Sequence, residues 1–140
     1  MTDYKFTHPI EIRYGDLDPQ GHLNNARYLT FFEQARIHYF IHLKLFEKNT
    51  SFLDIGMILA DVHISFLAPV QFADDILVSV KTTRLGNKSM TMRQSLVDQA
   101  TGKEVCSGEF VLVAYDYHSG KSVPIPNQWR EILTRFENLS

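Results

Sequence analysis

The stretch Arg13-Tyr14-Gly15-Asp16-Leu17-Asp18-Pro19-Gln20-Gly21-His22-Leu23-Asn24-Asn25-Ala26-Arg27-Tyr28 sets two carboxylates, an imidazole and a turn directly before a long apolar run. Gly15, Pro19 and Gly21 break the chain into a loop. Asn24 or Asn25 is a candidate N-cap, and no Gly or Pro interrupts the sequence from Asn25 to Phe46, so the spacing predicts a helix there. A helix start offers unpaired N–H groups to a developing negative charge. An acid–base group held beside such donors is the arrangement acyl transfer requires. An Asp-Pro pair also serves ordinary turns. Position, just before a helix in a glycine-containing loop, makes Asp18 and His22 candidates for chemistry. Asp16 reads as the carboxylate that ties the loop down.

The predicted helix carries Tyr28, Phe31, Phe32, Ala35 and Tyr39 at three- and four-residue steps, which makes one broad apolar face. A face so wide suggests a helix largely enclosed by sheet. Upstream, Phe6 to Arg13 reads as a first strand. Downstream, Met57 to Leu67 alternates, with Ile58, Ala60, Val62, Ile64 and Phe66 against Asp61, His63 and Ser65. Ile76 to Leu85, Lys88 to Asp98 and Glu104 to Tyr117 follow, joined at Gly86-Asn87 and Thr101-Gly102. Beyond Pro124 and Pro126, Asn127 is expected to cap a short C-terminal helix with Trp129, Ile132, Leu133 and Phe136 facing inward. Hairpin-length connections imply antiparallel pairing. One long helix over such a sheet of about five strands is an α+β two-layer architecture.

The 140 residues make one domain, 1–140, long enough for a proper core. With 14 Lys and Arg against 16 Asp and Glu, the net charge of −2 argues against nucleic acid as the main partner. The polar start, Met1 to Phe6, lacks a signal-peptide core, and no run approaches the length of a membrane span. The single cysteine, Cys106, lies in a strand-like run and reads as a small buried thiol. A reducing, cytoplasmic setting is expected. His38 and His42 stand four apart on the helix without further ligands nearby, so they read as exposed histidines; no metal site and no cofactor are expected.

A second feature concerns charge. Between Asp75 and Asp98 there is no acidic residue, yet Lys81, Arg84, Lys88 and Arg93 all occur, with Ser89 beside the Gly86-Asn87 turn. These residues are either a solvated face on paired strands or a clamp for phosphate oxygens.

With its Tyr14-Gly15-Asp16-Leu17-Asp18-Pro19 loop, Phe31-Phe32-Glu33-Gln34-Ala35-Arg36 helix segment, Ser65-Phe66-Leu67-Ala68-Pro69 and Asp74-Asp75, the chain resembles hotdog-fold thioesterases of the 4-hydroxybenzoyl-CoA thioesterase family over nearly its whole length. The resemblance implies an antiparallel sheet wrapped around the central helix, and a homodimer or homotetramer with active sites at the subunit interface. It implies hydrolysis of an acyl-CoA thioester to acid and CoA. Asp18 matches the catalytic carboxylate, as base or nucleophile, and the N–H near Asn25 matches the group that polarises the carbonyl. Arg84, Lys88 and Ser89 fall where the family meets CoA phosphates. Around Tyr28, Phe31 and Phe32 the phenyl-rich helix either floors an acyl pocket or packs as ordinary core. The loop is also similar to the D-x-D-x-N-x-H-V-N-N segment of acyl-ACP thioesterases, which gives His22 a role beside Asp18; Gln20 stands at the position of their Asn. Acyl-ACP hydrolysis, with the basic residues as a dock for an acidic carrier protein, and non-catalytic binding of acyl thioesters are the alternative readings.

Overall fold

The computed structural model describes residues 3–46 and 51–140. Strands β1 (Phe6–Ile10), β2 (Met57–Phe66), β3 (Ile76–Leu85), β4 (Ser89–Asp98) and β5 (Lys103–Asp116) form one antiparallel sheet in the order β1-β3-β4-β5-β2. A two-residue strand, β6 (Lys121–Ser122), pairs with the end of β5. Helix α1 (Asn25–His42) packs along one face of the sheet, α2 (Phe52–Ile55) is a single turn, and α3 (Asn127–Glu137) closes one end. The expected α+β class, the long helix and the short C-terminal helix are all present, although Pro126 rather than Asn127 takes the N-cap position of the short helix and Asn127 is its first residue.

The inner face follows from strand alternation. Val78 and Val80 of β3, Met90, Met92 and Leu96 of β4, and Phe110 and Leu112 of β5 are buried under Phe32, Ala35, Tyr39 and Phe40 of α1. The outer face carries Lys81, Arg93 and Glu109. Among the buried polar side chains, Arg36 and Gln94 satisfy one another. The Arg36 guanidinium donates to Gln94 Oε1 at 3.0 Å and lies over the Phe110 ring, while Gln94 Nε2 donates to Phe32 O at 2.8 Å. Gly108 makes room for this: a Cβ there would meet the Phe110 ring at 2.6 Å.

Several boundaries differ from those read in the sequence. The first strand stops at Ile10, where its register with Ile76 ends, rather than at Arg13. Helix α1 stops at His42 although the apolar pattern runs on to Phe46. Lys44 adopts φ 60°, and Leu45 N donates to Phe40 O at 3.0 Å and Lys44 N to Ile41 O at 2.9 Å, so a Schellman turn closes the helix without the usual glycine. In β2 a bulge between Leu59 and Asp61 breaks the simple alternation. The sheet covers α1 on one side, leaving Leu29, Thr30, Glu33 and Gln34 open. His38 is half-buried and stacks on His8 with ring centroids 4.0 Å apart, instead of standing free.

Candidate active site

The loop between β1 and α1 is built by its own short side chains. Asp16 is fully buried and accepts from Arg13 N at 2.8 Å and from the Arg13 guanidinium, with Arg27 Nε 3.5 Å away. Burial works to raise its pKa, but the Arg13 N–H and the two guanidinium groups win and hold it below the ordinary carboxylate range. Asn24 N donates to Asp16 O at 2.9 Å. The carboxylate thus ties the loop to the first turn of α1, the role expected of it. Arg27 was not singled out in the sequence; its spacing from the loop says nothing until the helix direction is known.

From Leu17 to Leu23 the chain forms a miniature hairpin. Asp18 N donates to His22 O at 2.8 Å, and Gly21 N to Asp18 O at 3.0 Å, with Gly21 at φ 80°. The hairpin is anchored to the segment after β2: Leu23 N donates to Val70 O at 2.8 Å, and His22 bridges to Gln71. Gln71 carried no sequence signal, since only the crossing of the chain brings it there.

Within this hairpin Asp18 Oδ1 accepts from Gln20 N at 2.9 Å and His22 N at 3.2 Å. That oxygen fixes the turn. Among the described residues Oδ2 accepts from no donor. Asn24 is the N-cap of α1, its side chain accepting from Ala26 N at 3.0 Å. Asn25 is therefore the first helical residue, and its N–H has no acceptor among the described residues. Asp18, His22, Asn25 and Tyr28 line one cavity of about 370 Å³, walled by Phe66 and Pro69. Tyr28 is buried and meets Phe66 edge to face at 5.0 Å.

Arg84, Lys88 and Ser89 are not part of this cavity. The Asp18 loop lies at the Ile76 end of β3, through Gln71 and Asp74, and Arg84 lies near its other end. Nine strand steps separate the ends, roughly 30 Å. Arg84 lines a separate cavity of about 360 Å³ with Arg130 and Thr134 of α3. The basic strip itself is divided: Lys81 pairs with Asp3, and Arg93 lies 3.7 Å from Glu109. Among the described residues, Arg84 and Lys88 have no acidic partner.

Cys106 is fully buried, and burial, with Glu104 nearby, pushes its thiol up to about 12, which leaves no thiolate for attack. The described residues contain no group of three or more His, Cys, Asp or Glu side chains placed to hold a metal, and no helix among them is long and apolar enough to cross a membrane.

The fold and the loop find their counterparts in known proteins. Residues 12–133 match the family model of the thioesterase-like superfamily. The chain is 27% identical over 132 residues to the uncharacterized protein YsmA of Bacillus subtilis, covering 94% of this chain and 87% of that protein. It is 27% identical over 124 residues to the long-chain acyl-CoA thioesterase FadM of Escherichia coli, covering 89% and 93%. The crystal structure of a thioesterase from Thermus thermophilus complexed with coenzyme A and Zn superposes with a TM-score of 0.85 at 29% identity, covering 99% of this chain and 98% of that one. Because the family match over residues 12–133 spans the loop, helix and sheet, this chain belongs to the thioesterase-like superfamily and is a thioester hydrolase of the hotdog fold.

Proposed function

We propose that the protein hydrolyses acyl-CoA, with Asp18 as the acid–base or nucleophilic group and the Asn25 N–H as oxyanion donor. The observation that carries this reading is the shared cavity, into which Asp18 and the start of an 18-residue helix both open. Acting as base, the Asp18 carboxylate takes a proton from water as the water oxygen bonds to the thioester carbonyl carbon. The carbonyl π pair moves to oxygen, which accepts from Asn25 N–H. Collapse breaks the C–S bond, CoA leaves as thiolate, and the proton on Asp18 passes to it. In direct attack a carboxylate oxygen of Asp18 bonds to the carbonyl carbon, the C–S bond breaks with CoA leaving as thiolate, and water then cleaves the resulting anhydride, releasing the acid, restoring the carboxylate and giving a proton to the thiolate. His22 borders the cavity and orients the carbonyl or the water.

The CoA phosphates require Arg84, Lys88 and Ser89, which are remote within one chain. A twofold dimer resolves this. The β1 edge is short and carries Pro9, whereas β2 is ten residues long and has no proline. Leu59, Val62 and Phe66 of β2 are 41%, 37% and 50% exposed. A long apolar open edge is one that a second strand covers. Antiparallel pairing of two β2 edges sets each Met57 end beside the partner's Phe66 end. Met57 is in register with Ala114, and Ser89 with Val113, so the Lys88 turn of one protomer travels to the Asp18 cavity of the other.

The experiment is a thiol-release screen across short, medium, long and aromatic acyl-CoAs, with the same chains on acyl carrier protein for comparison. Asp18→Asn is expected to cut turnover by about two to four orders of magnitude with an unchanged thermal midpoint. A native rate in that variant would remove Asp18 from the mechanism, and preference for the carrier protein would reassign the basic residues.

A further inference from the structure

We infer that the Tyr28 hydroxyl is the second donor of the oxyanion site, acting with the Asn25 N–H on the same carbonyl oxygen. The inference rests on the acyl-transfer reading of the Asp18 cavity and adds a catalytic group to it.

Three observations lead there. First, Tyr28 is only 3% exposed, yet its hydroxyl has no hydrogen-bond partner among the described residues. Buried tyrosines normally pair that group, as Tyr39 does with Thr82 and Glu137. No fully enclosed polar side-chain atom is left unsatisfied among the described residues, so the Tyr28 hydroxyl keeps its contact with open space, and the cavity that Tyr28 lines is the Asp18 cavity. Second, helical side chains lean toward the N-terminus and cover the preceding turn. Residues 25 and 28 share one helix face, so the tyrosine ring reaches back over the start of α1, toward the Asn25 N–H. Third, the hydroxyl stays a donor. Burial, together with the Cys106 thiol and the Asp18 carboxylate, pushes its pKa up to about 12. A neutral O–H and an N–H without an acceptor among the described residues, three positions apart on residues that line the Asp18 cavity, make a two-donor site from one helical turn.

In the tetrahedral step the C=O π pair becomes a lone pair on oxygen, which accepts from both groups; no proton leaves Tyr28. Removing one such donor characteristically lowers kcat by about a hundred- to a thousandfold. Tyr28→Phe deletes the hydroxyl and keeps the ring against Phe66. It is assayed by thiol release on the acyl-CoA that the wild type turns over best, beside Asp18→Asn and with thermal midpoints for all three proteins. The expected result is a kcat reduced at least a hundredfold, an unchanged KM and an unchanged midpoint, because a donor used only in the transition state moves kcat and kcat/KM together. A native kcat, or a raised KM with kcat retained, overturns the inference while Asp18→Asn still validates the hydrolase reading. A rate loss matched by a lowered midpoint assigns the hydroxyl to packing and also overturns it. Absence of hydrolysis by the wild type on every acyl-CoA overturns both.

Discussion

Asp16 and Asp18 stand two residues apart and do opposite work. Asp16 spends its oxygens on Arg13 and Arg27 and anchors the loop. Asp18 spends one oxygen on its turn, while the other accepts from no donor among the described residues, and the residue lines the cavity. Asp16→Ala should therefore cost about 1–3 kcal/mol of stability, measured by urea unfolding, and should also slow thiol release by loosening the loop. Because its pKa is lowered in the folded state, the stabilisation from Asp16 is present above the ordinary Asp value of 3.8 and fades as pH falls through the lowered value. In Asp16→Ala that acid-sensitive part of the unfolding curve should disappear. The pairing of each carboxylate was legible only in part. Sequence position named both residues and gave the anchoring role to Asp16, but the free oxygen of Asp18 depends on hydrogen bonds that form once Gly21 turns the chain.

At the scale of elements, β1 and α1 are joined by imidazoles. His8 and His38 stack at 4.0 Å, and Gln34 Nε2 lies 3.4 Å from His8 Nε2. Burial lowers the His8 pKa, and the neighbouring His38 lowers it further. A histidine whose folded pKa lies below its unfolded value of 6.5 binds fewer protons in the native state, so stability is full above that pH and falls as pH drops through it. The thermal midpoint of the wild type should drop between pH 7.5 and pH 5 more steeply than that of His8→Gln; parallel curves would show that the stack carries no linkage. Sequence periodicity found α1 and its buried stripe, because a 3.6-residue repeat is local. It could not find the helix end, since Lys44 takes a glycine-like conformation under tertiary packing, nor the stack, which joins residues thirty positions apart.

For the whole molecule, the proposed dimer rests on the contrast between the two sheet edges. Val62→Lys on β2 should give a monomer by sedimentation and lose most acyl-CoA turnover, because the Lys88 turn proposed to hold the phosphates then has no partner cavity to reach. Mixing Asp18→Asn with Lys88→Glu protomers should restore part of the activity, since one mixed interface would hold an intact Asp18 opposite an intact Lys88. A Val62→Lys protein that remains dimeric and active would move the interface away from β2.

The sequence alone determined what short-range chemistry dictates. Alternation set the strands, a Gly- and Pro-free aromatic run set the helix, and the Asp16 to Asn25 loop marked the candidate site, because turns, caps and periodicity act over a few residues. Only the tertiary structure decided which strand became the open edge, how the segment after β2 fixes His22 against Gln71, that Tyr28 is buried with no partner for its hydroxyl among the described residues, and that Arg84 and Lys88 lie at the far end of the sheet from Asp18. Those features depend on strand order and long-range pairing, which no local pattern encodes.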